Sequence, residues 1–159
     1  MSRENKMATQ AVLCFIVQEE RVLLARKKRG FGEGWWNGAG GKLKEGETPL
    51  QAVLRETQEE IGIIPQDPKK AGTLLFFFED GTPDWEVAVY RASEFAGEPS
   101  ESEEMFPQWF AFGEIPYGEM WADDPYWVPL LLQGKRFEGR FTFRDNVTLL
   151  SHEIWEIED

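Results

Sequence analysis

The eight residues RETQEEIG, positions 55 to 62, place three glutamates and an arginine within two helical turns. At about 100° per residue, with Arg55 at zero, Glu59, Glu56 and Glu60 fall near 40°, 100° and 140°, while Leu50, Val53, Leu54, Thr57 and Ile61 gather on the other side. Ala52 falls near 60° on the same wheel, inside the acidic patch, and leaves room above the acids. Carboxylates roughly 6 Å apart on adjoining turns repel by about 3 kcal/mol at an effective dielectric near 20, before solvent and salt reduce the figure. Two readings stay open on the acids alone. They form a solvated acidic face, or they are hard oxygen ligands of the kind magnesium and manganese take together with water and phosphate.

A second group with chemical potential is WADDPYW, residues 121 to 127. A purine offers two flat apolar faces and an edge of donors and acceptors, so its pocket needs aromatic plates and a few aimed polar groups. Trp121 and Trp127 supply plates and Asp123 and Asp124 supply edges. A proton shared by the two aspartates lets one donate while the other accepts. The competing reading makes Asp124 a helix cap and the tryptophans core. Lys27, Lys28 and Arg29, in KKRG, read either as an anion-binding cluster or as a solvated turn. The lone His152 receives no chemistry, which leaves no Ser-His-Asp hydrolase.

The elements that must position these groups are readable from hydrophobic period and turn residues. AVLCFIVQ is a buried strand and RVLLARKK its hairpin partner across the turn Glu19-Glu20. The glycine-rich stretch from Arg29 to Glu47 is a long loop or a set of short strand pieces. A helix follows over Pro49 to Ile61, with Thr48 as its cap, Gln51 completing a capping box, Gly62 as its stop and Pro65 beyond. GTLLFFFE and WEVAVYRA are antiparallel strands about the turn DGTPD, and MFPQWFAF is a strand after the acidic loop EPSESEE. PYWVPLLLQG is a second helix capped by Asp124, despite the interior Pro129, and RFEGRFTFR and VTLLSHEIWEI are the final strands.

The chain of 159 residues suits a single domain spanning positions 1 to 159. Its formal charge of -12 disfavours nucleic-acid polymers, whose binding rests on lysine and arginine displacing counterions. Cys14, the one cysteine, sits in an apolar run and has no internal partner, which fits a reducing, cytoplasmic setting. The apolar runs are too short for a membrane span.

From Gly41 to Ile63 the spacing Gly41, Glu47, Arg55-Glu56, Glu59-Glu60, Gly62 resembles the signature of the Nudix hydrolase family. Thr57 stands where the family carries an aliphatic residue; its methyl can pack while its hydroxyl bonds back to the carbonyl four residues earlier. The resemblance implies a Nudix fold of the α+β class, an α/β/α sandwich with a mixed β-sheet and a catalytic loop and helix between Gly41 and Ile63. It implies hydrolysis of a nucleoside diphosphate linked to a further group, with Mg2+, or alternatively Mn2+, held by Glu56, Glu59, Glu60, Glu104 and the carbonyl of Gly40. Arg55 is implied to orient one of those carboxylates through two hydrogen bonds. The base that takes water's proton is left open among Glu59, Glu60 and Glu104, and Glu103 competes with Glu104 for the loop position.

The likeness extends through KKRGFG, WNG, GGK, EGET, ESEEM, MWADD, YW, PLLLQ and TFR to the oxidised purine nucleoside triphosphatases of that family. It implies a small-molecule nucleotide substrate of the 8-oxo-dGTP or 2-oxo-dATP type, release of monophosphate and pyrophosphate, nucleotide-pool sanitation and a monomer. Asn37, Asp123 and Asp124 are implied to read the base edge, Trp121 and Trp127 to flank the ring, and Lys27 to contact sugar and phosphate. Phe31, Ala39, Gly40, Gly41, Lys42, Phe76 and Phe78 complete the implied substrate set. Val12, Ala39 and Trp85 stand where such enzymes carry threonine, phenylalanine and methionine, so the preferred lesion is open. The alternatives are a Nudix enzyme for ADP-ribose or dinucleoside polyphosphates, and a non-catalytic nucleotide-binding module.

Overall fold

The computed structural model describes residues 8–158. Among them, eleven strands and two α-helices run in the order β1 Thr9–Gln18, β2 Arg21–Lys27, β3 Trp36–Asn37, β4 Ala39–Lys42, α1 Pro49–Ile61, β5 Ile63–Gln66, β6 Lys69–Phe78, β7 Trp85–Ala92, β8 Glu94–Gly97, β9 Met105–Ala111, α2 Asp124–Leu132, β10 Arg136–Asp145 and β11 Thr148–Ile157. The main sheet has the order β11-β10-β6-β7-β1-β2-β3, with β4 added on β1 and β9 on β2. It is mixed: β1 runs parallel to β7 and β10 parallel to β6, and the remaining pairs are antiparallel. The short strands β5 and β8, which the sequence pattern did not announce, pair with each other.

β1 divides its partners. Ala11 to Cys14 pair with β4, and Ile16 to Gln18 pair with β2. Its side chains alternate between two cores, because successive residues of a strand face opposite sides. Ala11, Phe15 and Val17 join Leu74, Trp127, Leu131 and Phe137 on the α2 side. Val12, Cys14 and Ile16 join Ala52, Val53, Ile61 and Ile63 on the α1 side. Helices thus cover both faces of the sheet in the α/β/α arrangement. Gly40 permits β4 to lie close on β1, since a Cβ there would overlap the Val12 carbonyl.

α1 has the ends its sequence dictates. Thr48 Oγ1 accepts from the Gln51 N–H at 3.2 Å and Gln51 Oε1 accepts from the Thr48 N–H at 2.9 Å, closing the capping box. Gly62 ends the helix with φ 77°, a left-handed conformation that costs a glycine little. Thr57 is buried and its hydroxyl donates to Val53 O at 2.6 Å. The buried arc is wider than the wheel suggested. Ala52 is fully buried rather than part of an open patch, Glu60 is only 8% exposed, and Leu50 is exposed at the first turn.

α2 begins one residue earlier than its prolines suggest. Asp123 occupies the cap position, with no side-chain cap bond, and Asp124 is the first helical residue. The expected cap role of Asp124 is therefore corrected. Pro129 lies inside the helix, which continues to Leu132 and closes through Gln133 N–H to Pro129 O. The helix survives its proline because Trp127, Val128 and Leu131 are held in the core. Cys14 is buried, and burial pushes its thiol up to about 12, so it is inert. No helix among the described residues is long and apolar enough to cross a membrane.

Candidate active site

Three segments meet at the acidic side of α1: β4, the loop leading into the helix, and the 98–104 loop before β9. Glu60 turns inward, and its Oε1 accepts from the Gly40 N–H at 2.9 Å. Burial pushes its carboxyl up to about 7; the Gly40 hydrogen bond and Lys27 oppose this, and the charges of Glu56 and Glu104 add to it. Glu56 is mostly buried beneath Gly41, where a Cβ would overlap its Oε2. Glu59 is the outermost of the ridge, its side chain 55% exposed.

Arg55 was expected to grip a ridge carboxylate with two bonds. Its fork instead closes on Glu47, with Nε to Oε2 at 2.7 Å and Nη2 to Oε1 at 2.9 Å. Nη1 then reaches Glu56 by a short contact and Glu59 Oε2 at 3.2 Å, and Nη2 also donates to Lys42 O at 3.2 Å. The guanidinium is the hub joining loop, strand and helix. Glu47 is folded back by the Lys44 N–H at 2.9 Å, and Arg55 holds it down at about 2. It lies within the signature spacing, yet nothing in its spacing says that Arg55 prefers it to its helical neighbours.

Beside this ridge opens a cleft of about 200 Å³, walled by Leu13, Phe76, Phe78, Trp85 and Phe143 on one side and closed by Trp121, Asp123, Asp124 and Trp127. Lys27, Phe31, Asn37, Gly40 and Gly41 of the expected set also line it. Ala39 does not: it is buried in the core on the α1 side, because strand alternation turns it away from Gly38 and Gly40. Lys42 is also outside the lining, with its ammonium 5.5 Å from the centre of the Trp85 ring. Trp121 stacks against Phe31 at 5.2 Å and Trp35 at 5.6 Å. Trp35 escaped the sequence reading because Gly-rich loops carry no period to say which aromatic faces inward. Trp127 is both core and cleft wall, edge-on to Phe15 at 5.6 Å.

Asp123 and Asp124 are 3% and 2% exposed, two carboxyls at the closed end of an apolar cleft. Asp123 Oδ2 accepts from Trp127 Nε1–H at 2.7 Å, and burial raises its carboxyl. Asp124 is raised well above the ordinary range, first by burial and then by the neighbouring Asp123 charge. Burial thus holds both carboxyls above the ordinary range, Asp124 the further of the two, which favours one proton shared between them. Asp124 Oδ2 is buried without a hydrogen-bond partner among the described residues. A buried polar atom of this kind costs about 1–3 kcal/mol unless something else binds it. His152, by contrast, is exposed on β11 and stacks on Tyr126 at 3.8 Å, away from the cleft.

The sequence matches the model of the NUDIX domain over residues 7–131. The chain belongs to the Nudix family. It is 48% identical over 147 residues to the oxidized purine nucleoside triphosphate hydrolase of Danio rerio, covering 92% of this chain and 94% of that protein. It is 46% identical over 146 residues to the protein of the same name from Mus musculus, at the same coverages of 92% and 94%. A solved MutT protein from Bacillus halodurans superposes with a TM-score of 0.82 at 30% identity, covering 92% of this chain and 97% of that one.

The Nudix ridge of this chain has the donor chemistry for a divalent cation. Its oxygens are carboxylates and a backbone carbonyl, the hard donors that magnesium and manganese prefer. Glu60 is buried with its neighbours' charges raising it, a burden that a cation relieves. Among the described residues no three of these acids meet at one point as they stand. Each is drawn to a protein donor instead: Glu56 to Arg55, Glu60 to Gly40 N–H and Glu104 to Arg29.

Proposed function

We propose that this Nudix hydrolase cleaves oxidised purine nucleoside triphosphates, of the 8-oxo-dGTP or 2-oxo-dATP type, to the monophosphate and pyrophosphate. The observation that carries this reading is the buried Asp123-Asp124 pair, with one oxygen unpartnered, at the end of an aromatic cleft that opens beside the carboxylate ridge. A proton shared by the pair lets one carboxyl donate to a base oxygen while the other accepts from a base N–H, and the free Asp124 Oδ2 is open to either role. The pair therefore answers more than one purine edge. Asn37 lines the same cleft, its Oδ1 already accepting from the Gly38 N–H at 2.8 Å, so its amide N–H2 is its remaining recognition group. Trp121, Phe76 and Phe78 supply flat apolar surface for the ring.

The triphosphate then extends toward Gly40, Gly41 and the ridge, with Lys27 on the cleft wall between. Glu56, Glu59, Glu60, Glu104 and the Gly40 carbonyl would hold Mg2+, or Mn2+. When bound, such an ion neutralises phosphate oxygens and makes water a better nucleophile. Arg55 orients Glu56 from a frame fixed by Glu47, keeping that carboxylate directed while its neighbours adjust. Among the carboxylates eligible to accept water's proton, Glu59 is the least engaged, with a single 3.2 Å contact to Arg55. It moves at the smallest cost. A nucleotide substrate of this size needs neither a polymer nor a membrane, and the buried Cys14 suits a reducing cytoplasm.

Turnover of 8-oxo-dGTP, 2-oxo-dATP, dGTP and ADP-ribose with Mg2+, with pyrophosphate and phosphate measured separately, tests the reading. Pyrophosphate release favouring the oxidised purines is expected. Preferential turnover of ADP-ribose, or no turnover of any of the four, would overturn it.

A further inference from the structure

The run Lys27-Lys28-Arg29 starts at the last residue of β2, and the acidic segment Glu101 to Glu104 leads into its neighbour β9. The two are zipped together. The Lys28 N–H donates to Glu104 O at 2.8 Å, and Lys28 Nζ donates to Ser102 O at 2.8 Å and to the Glu101 carboxylate. Ser102 Oγ accepts from the N–H groups of Glu104 at 3.3 Å and Met105 at 3.2 Å, which fixes the turn. These contacts set where the Glu104 backbone lies.

The side chain is set separately. Arg29 places two contacts on one oxygen of Glu104: Nε lies 2.8 Å and Nη2 2.7 Å from Oε1. The other oxygen, Oε2, is turned toward Lys27, 4.0 Å from its Nζ, and Lys27 lines the cleft. A carboxylate has about four acceptor positions. With Oε1 occupied by the guanidinium, Oε2 is the oxygen left for a further partner on the Lys27 side, and the charges of both Lys27 and Glu104 reach Glu60 on the ridge. Glu103 receives only a longer contact, 3.2 Å, from the same Nη2, and its side chain is 85% exposed.

We propose that Arg29 is a positioning residue that acts through Glu104, holding Oε1 so that Oε2 is presented to the divalent ion. This rests on the proposed reading of the ridge. It assigns the KKRG run a role beyond a solvated turn: Lys28 fixes the loop and Arg29 fixes its carboxylate. It also decides between the adjacent acids, giving the function to Glu104 and leaving Glu103 as outer support.

The test is a mutant cycle read on the nucleotide-free protein with Mn2+ alone, counting free ion by electron paramagnetic resonance, alongside steady-state kinetics. Removing a group that orients a metal ligand weakens binding about tenfold or more. Arg29→Ala is therefore expected to weaken Mn2+ binding about tenfold and to lower kcat while leaving the nucleotide KM near its original value. Arg29→Lys, which keeps the charge and loses the second donor, is expected to fall between. In a Glu104→Gln background, Arg29→Ala is expected to add nothing, and Glu103→Gln is expected to leave Mn2+ binding unchanged. Unaltered Mn2+ affinity in Arg29→Ala, or an equal loss with and without Glu104, would overturn the proposal. So would a Glu104→Gln variant that binds Mn2+ as the parent does. The Mn2+ cycle is readable whatever nucleotide the enzyme prefers, so its failure is distinct from failure of the substrate assignment.

Discussion

Glu60 offers a prediction in which a stabilising substitution abolishes activity. Its carboxyl is 8% exposed and is carried by burial from an ordinary 4.5 to about 7. In the unfolded chain the group ionises near 4.5, so above pH 7 the folded, metal-free protein carries an ionised group that the fold disfavours. The difference corresponds to about 3 kcal/mol, at about 1.4 kcal/mol for each tenfold step. A raised acid contributes most to stability below its unfolded pKa and loses that contribution as pH rises through the folded one. Glu60→Gln removes the charge and keeps an amide oxygen able to accept from the Gly40 N–H. In EDTA, urea unfolding is expected to find the variant more stable than the parent by up to about 3 kcal/mol at pH 8, with the gap shrinking toward pH 5. On the proposed reading of the ridge, added Mg2+ is expected to reverse the order by binding the parent's folded state and stabilising it by mass action. Hydrolysis by the variant is expected to be lost. A pH-independent gap, or a variant less stable than the parent in EDTA at pH 8, would refute the reasoning.

Three further outcomes follow from individual contacts. Gly41→Ala puts a methyl group against Glu56 Oε2, so Mn2+ affinity measured by titration is expected to fall about tenfold while the melting temperature barely moves. Glu47→Gln leaves Arg55 without its charged anchor, and kcat/KM is expected to drop about tenfold to a hundredfold. Because Arg55 holds Glu47 down at about 2, the contact's stabilisation is present above the ordinary carboxylate range and is lost as pH falls through about 2; the stability gap to Glu47→Gln in urea is expected to close over that interval. Asp124→Asn replaces a carboxyl that burial already disfavours in its charged form by a neutral amide of the same shape, so folding is expected to persist while the kcat/KM ratio of 8-oxo-dGTP to 2-oxo-dATP shifts by about tenfold.

The sequence alone determined what depends on near neighbours along the chain. Thr48, Gln51 and Gly62 act within one turn of α1, and their chemistry selects the helix ends before any tertiary contact forms. The alternation in β1 needed only a two-residue period, and the hairpin to β2 only a short turn. The signature spacing brought Glu56, Glu59 and Glu60 to one ridge because a helix has a fixed pitch.

Tertiary structure decided which donor each acid meets. Glu47 and Arg55 are separated by a loop whose path no period describes, so the fork between them exists only once β4 and α1 have packed. The wheel gave Ala52 to the acidic patch because it has no knowledge of β4, which lies over that side of the helix. Asp123 and Asp124 are identical residues in sequence; once buried together both carboxyls are raised, and the Trp127 N–H that opposes the rise reaches Asp123. Arg29 and Glu104 are brought together by the pairing of β2 with β9, a long-range register. Local rules fix an element and its faces; burial and partner choice depend on segments far away in the chain, and those set the charges on which the chemistry runs.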